Sequence, residues 1–275
     1  MKNLTVAVLG TGSMGGAIVE GLLASGVPAS NITVTTRSEV SASSWRSHGV
    51  TALSLDSTPA ANLTAVAGAD LILLAVKPAF VVEVLTEAAS SLKPGALVVS
   101  VAAGITTATM EAQVPDSVAV VRAMPNTPSV IKLGMTGIAV GSRVSEQQLE
   151  LVQQLFSAIG KTLTVPESQI DALSTVSGSG PAYVFFFIEQ LTLAAENLGF
   201  TADEATLLVN ETFRGAADYL MASGKSAAEL RAQVTSPNGT TMRAIAELEK
   251  LNLAAGFETA LLAALARAQE LSAGK

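Results

Sequence analysis

The chain has no cysteine among its 275 residues and a single histidine. The first absence excludes disulfides, thiolate catalysis and cysteine-based metal sites, so no metal site is expected and a reducing, cytoplasmic location is. Positive charge is scarce as well. With 16 Lys+Arg against 23 Asp+Glu, a formal charge of −7 and no dense basic run, neither a nucleic-acid backbone nor an anionic membrane finds a matching surface. Long hydrophobic runs are missing, although 49% of residues are apolar. The most apolar stretch, 183–198, contains Glu189, Gln190, Glu196 and Asn197, which fits a buried helix better than a membrane span. The opening MKNLTVAVLGTG has neither the long apolar core nor the small-residue cleavage site of a signal peptide, so a mature, unexported N-terminus is expected.

What is present divides the chain in two. In the first part, short β-branched runs alternate with helical segments: LTVAVLG, a helix over 13–24, NITVTT, ADLILLAV, a helix after Pro78, ALVVSV and SVAVVRAM. This order predicts parallel strands joined by crossover helices. Runs apolar on both faces, such as LILLAV, predict strands covered by helices on both sides. MTGIAVG and KTLTVP extend the sheet, with a helix over 145–159 between them. After about Pro166 only helices are expected, near 181–198, 203–222, 226–233, 241–251 and 256–272. The first opens on Pro181, where a missing N–H costs nothing. Its FFFIEQLTLAA is apolar almost all round and needs cover on every side. About a hundred helical residues cannot supply that cover alone, so this part is expected to pack against a second copy of itself. The fold class is therefore α/β: an N-terminal Rossmann-type, doubly wound, mostly parallel sheet over 1–165, then an all-α dimerisation domain over 166–275.

Gly10, Gly12 and Gly15 form G-x-G-x-x-G directly after a strand and at the opening of a helix. The spacing gives a tight turn, close approach of backbone to a pyrophosphate and close helix–strand packing, with a helix N-terminus facing the anion. A plain glycine turn is the alternative. Where an NAD site ends its second strand in an acid, NITVTT ends in Arg37 and Ser38. A cation and a hydroxyl suit a 2′-phosphate, so NADPH is expected over the weaker NADH; otherwise Arg37 is a solvated surface residue. Lys77 and Pro78 turn at the end of a buried strand, where ligand crevices of open α/β sheets lie, although Lys77 can also be merely solvated. VVRAMPNTP repeats that logic, and its Asn126 is expected beside the nicotinamide. His48, in the loop region after the second strand, reads as a surface residue.

These residues resemble the pyrroline-5-carboxylate reductases over essentially the whole chain. The resemblance rests on Gly10–Gly15, the Ala75–Pro78 turn, Arg122–Pro128, Ser177–Tyr183 and Ser236–Thr241, in the family's order and spacing. It implies reduction of L-1-pyrroline-5-carboxylate to L-proline, the last step of proline biosynthesis. It further implies that Ser13 and Met14 hold the pyrophosphate with the glycines, Asn62 contacts the adenosine end, and Val76 and Lys77 line the nicotinamide side. Ser236, Asn238, Gly239, Thr240 and Thr241 fall on the substrate loop, with Ser236 and Thr241 as the catalytic candidates. The family builds homodimers and often rings of dimers. One departure stands out: the family has Gly-Gly after the proline, and here the first is Asn238, which tolerates a left-handed conformation.

The segment VTSPNGTT, 234–241, has no charged side chain. Small and hydroxyl residues running into a helix near Thr241 offer backbone N–H groups and a positive dipole end, which bind a carboxylate without a basic side chain. A simple turn capped by Thr240 or Thr241 is the alternative. The lack of an evident acid or base also fits this chemistry. A cyclic imine enters already protonated, so hydride transfer neutralises charge and positioning becomes the main task. A 3-hydroxyacid dehydrogenase is the rival enzyme, yet its helix lysine is missing: beyond Pro166 the only lysines are Lys225, Lys250 and Lys275. A non-catalytic NADPH-binding dimeric sensor is the remaining alternative.

Overall fold

The computed structural model describes residues 3–272. Contacts divide them into two compact units, one of residues 3–179 with 264–272 and the other Gly180–Ala263.

In the first unit the chain runs β1 (Val6–Leu9), α1 (Ser13–Ala24), β2 (Ile32–Thr36), α2 (Glu39–Arg46), β3 (Thr51–Ser54), α3 (Ala61–Val66), β4 (Leu71–Leu74), α4 (Val81–Ala88), β5 (Leu97–Ser100) and α5 (Thr107–Glu111). It continues through β6 (Ala119–Met124), β7 (Gly134–Val140), α6 (Glu146–Ser157), β8 (Gly160–Thr164) and α7 (Glu167–Leu173). The strands form one sheet in the order β3-β2-β1-β4-β5-β6-β7-β8. All neighbours pair in parallel except β6 with β7. Alternation along the strands separates two cores: Val6 and Val8 of β1 join Ile18, Leu22 and Phe156 on one face. Ala7 and Leu9 join Leu85 and Met110 on the other. Burial on both faces is why LILL of β4 shows no polar alternation.

The expected division at 165/166 falls inside this unit, because α7 packs against the sheet. Arg122 of β6, only 2% exposed, donates to Glu167 (2.9 Å) and Asp171 (2.6 Å) of α7. Ser272 donates to the other oxygen of Asp171 (3.2 Å), which ties the chain's last helix to the same cluster. An extended strand followed by a glycine-free acidic heptad gave α7 no periodicity long enough to read.

The second unit holds α8 (Gly180–Asn197), α9 (Ala202–Ser223), α10 (Ala227–Gln233), α11 (Thr240–Glu249) and most of α12 (Leu253–Ser272). Capping boxes start α9 at Thr201 and α10 at Ser226. Its only buried hydrophobic residues are Ala205 and Val209, while Phe185 and Phe186 are 64% and 57% exposed. Among the described residues no single helix is long and apolar enough to cross a membrane; the bent pair α11 and α12 passes that test together, by length and composition only.

Candidate functional site

The chain builds β1, β2 and β3 outward on one side and then returns to place β4 against the other flank of β1. Such a reversal opens a crevice at the strand C-terminal ends. The turns after β1 and β4 meet there. Gly10 has φ +93° and its N–H donates to Thr35 O at 3.1 Å. A Cβ on Gly10 would lie 2.8 Å from the carbonyl oxygen of Ala75, and one on Gly15 would lie 2.2 Å from Gly10 O. Only glycine permits this approach of turn, helix and neighbouring strand.

A cleft of about 650 Å³ occupies this position. Gly10, Thr11 and Gly12 form its turn, and Val76 and Lys77 come from the end of β4. Helix α1 begins here with Gly12 as N-cap, no side-chain cap and no acid in its first turn. Its first N–H groups are left for an anion. Thr36, Arg37 and Ser41 line the cleft at the end of β2. The Arg37 backbone oxygen accepts from Ser54 and Asp56, which fixes the main chain, while its guanidinium makes no ion pair among the described residues. Asn62, 6% exposed, also lines the cleft, and its Oδ1 has no hydrogen-bond partner. A tight glycine cradle, uncapped helix N–H groups, an unpaired cation and an orphaned buried amide all fit a phosphorylated dinucleotide.

Other sequence candidates fall elsewhere. Ser38 is the N-cap of α2 and accepts from Ser41 N, so Ser41 rather than Ser38 presents a hydroxyl to the cleft. Ser13 is exposed at the first position of α1, Met14 packs on the core and Gly15 is buried. Pro78 opens a short 3₁₀ turn. Asn126 does not line the cleft: its Oδ1 accepts from Met135 N (2.8 Å) and its Nδ2 donates to Ser177 O (2.9 Å). The amide joins two backbone segments, a use that a strand-end asparagine does not reveal in sequence. Leu55, Phe80, Glu83, Val84 and Glu87 line the cleft and were missed. The last four share one face at i, i+3, i+4 and i+7, a spacing visible in the helix after Pro78. His48 is exposed, its Nδ1 3.0 Å from Ser44 O.

In the second unit Ser236 O accepts from Gly239 N at 3.1 Å, closing a turn with Pro237 and Asn238 at its centre. Asn238 has φ +60°, the left-handed residue that follows proline in a type II turn. A Cβ on Gly239 would lie 2.5 Å from Ser236 Oγ, so the serine hydroxyl folds over Gly239 and would have to turn away for any larger residue. Helix α11 starts at Thr240 with Gly239 as N-cap and no side-chain cap. Neither threonine caps the helix, and the simple capped turn is not what the segment forms.

The first unit is thus a dinucleotide-binding domain of the Rossmann class, followed by a helical domain with almost no core of its own. Residues 167–271 match the family model for pyrroline-5-carboxylate reductase dimerisation, and residues 5–104 match a model described as NADP oxidoreductase, coenzyme F420-dependent. A pyrroline-5-carboxylate reductase of Corynebacterium melassecola is 42% identical, with 97% of this chain and 98% of the relative covered. One from Pseudomonas aeruginosa is 40% identical, covering 99% and 98%. Among solved structures, the Coxiella burnetii pyrroline-5-carboxylate reductase aligns with a TM-score of 0.90 at 38% identity, covering 98% of each chain. The Plasmodium falciparum pyrroline carboxylate reductase with NADP bound aligns at 0.84 and 25% identity, covering 99% of each. The chain belongs to the pyrroline-5-carboxylate reductase family, and its dimerisation domain makes it a homo-oligomer.

Proposed function

We propose that the protein reduces L-1-pyrroline-5-carboxylate to L-proline in the cytoplasm, with NADPH preferred over NADH. The observation that carries the cofactor preference is Arg37, unpaired and lining the cleft where β2 ends. Thr36 and Ser41 add hydroxyls to that end, and no carboxylate stands in the place where one would accept from an unphosphorylated ribose. Gly10 and Gly12 let the backbone approach the pyrophosphate, and the first N–H groups of α1 receive its charge. Asn62 meets the adenosine end, and Val76 and Lys77 line the nicotinamide side. When bound, the reduced nicotinamide supplies the hydride.

The unit of residues 3–179 with 264–272 binds the cofactor, and the helical unit Gly180–Ala263 binds the substrate and dimerises, with rings of dimers as the larger assembly. The substrate carboxylate is held by the backbone of the Ser236–Thr241 turn at the start of α11. The Thr241 hydroxyl hydrogen-bonds the ring nitrogen, and Ser236 holds the turn over Gly239. The imine enters protonated, so hydride addition removes positive charge and no strong acid is needed.

Replacing Arg37 with alanine tests the cofactor reading. NADPH is expected to lose about tenfold or more in affinity and NADH much less, since a charge-assisted contact contributes roughly 1.5–3 kcal/mol. Equal losses would show that Arg37 does not read the 2′-phosphate.

A further inference from the structure

Two carboxylates in the wall of the cofactor cleft have no role in the reading above. Glu83 and Glu87 lie one turn apart on α4 and line the cleft, both exposed. Neither makes an ion pair or hydrogen bond with any described residue. A cleft for a phosphorylated dinucleotide gains nothing from two unpaired acids facing phosphate, because like charges repel. Carboxylates are acceptors only, so they suit a part of the ligand that donates.

Their surroundings say which part. Leu55 from the end of β3, together with Phe80 and Val84 from α4, gives the same cleft apolar walls. Arg37 and Ser41 come from the β2 side, next to β3 at the sheet edge. Asn62, nine-tenths buried with an unpartnered amide oxygen, opens onto the same space. An apolar wall beside the Arg37 cation, bounded by acceptors, fits a purine carrying an exocyclic amine.

We propose that Glu83 and Glu87 are specificity residues that accept from the exocyclic amine of adenine, so that the enzyme selects its cofactor by the base as well as by the 2′-phosphate. The proposal rests on the cleft being the NADPH site. Hypoxanthine carries a carbonyl oxygen where adenine carries the amine, and a carboxylate facing it meets acceptor with acceptor. Glutamine at these positions both donates and accepts, so it serves either base.

The test compares NADPH with its hypoxanthine analogue as hydride donor to pyrroline-5-carboxylate, and in direct binding by nicotinamide fluorescence. The full-length wild type is set beside E83Q, E87Q and the double variant. Wild type is expected to favour NADPH by about tenfold in kcat/KM, which corresponds to about 1.4 kcal/mol, with the difference in KM rather than kcat. At least one single variant and the double variant are expected to bring the ratio near unity, which a merely structural role would not do. Equal use of both cofactors by wild type, or an unchanged ratio in the double variant, overturns the proposal while leaving the reaction intact. If the imine is inert yet NADPH binds about tenfold tighter than its analogue and the glutamines erase that difference, base selection stands and the reaction reading falls.

Discussion

Thr241 carries the chemical claim at the scale of single residues. It is half-buried at the second position of α11 and serves no cap, so its hydroxyl is not consumed by the fold. Thr241→Ala is expected to lower turnover at least tenfold while leaving NADPH affinity within twofold of wild type. Steady-state kinetics beside a fluorescence titration would check this; unchanged turnover would remove the residue from the mechanism. The glycine turn at the cleft, the place of Arg37 at the end of β2 and the uncapped turn into α11 were legible in sequence, because each needs a residue type for a local backbone or charge reason. Asn126, Ser38 and the α4 wall were not. The place of Asn126 depends on which distant segments arrive opposite it, Met135 and Ser177, and no local pattern encodes that; Ser38 is taken up by the local cap of α2, and the α4 spacing shows a shared face without showing what it faces.

Elements hold the cleft from behind. Before β4, Asp70 accepts from the N–H (2.9 Å) and hydroxyl (2.7 Å) of Thr5, next to β1, and pairs with Lys93, which precedes β5. Burial raises the acid's pKa, but the Lys93 hydrogen bond, the two Thr5 hydrogen bonds and the Lys93 charge outweigh it and bring it to about 2. A folded pKa below the ordinary 3.8 stabilises the fold above that value. The contribution is lost as pH falls through about 2. Asp70→Asn should therefore flatten the acid limb of a stability–pH curve between those values and change little in its slope at neutral pH. An acid limb identical to wild type would discount the clamp. On β6, Arg122→Ala strands Glu167 and Asp171 against a buried hole. A loss of about 3 kcal/mol is expected in denaturant unfolding, at the low end of its class because both carboxylates reach solvent. Helices α8 to α12 were readable within a few residues, since their apolar runs are long and flanked by Gly, Ser and Thr. The short β3 and the seven-residue α7 were not, being too brief for a period to declare itself.

For the molecule as a whole, the two halves differ in how they are stabilised. The sheet buries whole strands such as β4, each large side chain contributing about 1.5–3 kcal/mol. The helical unit, with Ala205 and Val209 as its buried hydrophobic residues, does not account for its own stability in one copy, and the dimerisation domain supplies the reason. Phe185→Glu with Phe186→Glu is expected to shift the full chain toward monomer in analytical ultracentrifugation and to lower its unfolding temperature. A dimer unaffected by both would place the interface elsewhere. The need for a partner was visible in FFFIEQLTLAA, whose circumference leaves little polar surface to face water; the size of the assembly was not, because one chain carries no record of how many copies close a ring.

The central claim is that the protein reduces L-1-pyrroline-5-carboxylate with NADPH, and it is tested most directly by following NADPH oxidation by the purified protein with that imine, with proline measured as product. NADH and a panel of 3-hydroxy and 3-oxo acids serve as comparisons. Turnover that favours NADPH, forms proline in equal amount and leaves the acids untouched is the expected result. NADPH binding with an inert imine, or turnover of a 3-hydroxy acid instead, would contradict the account.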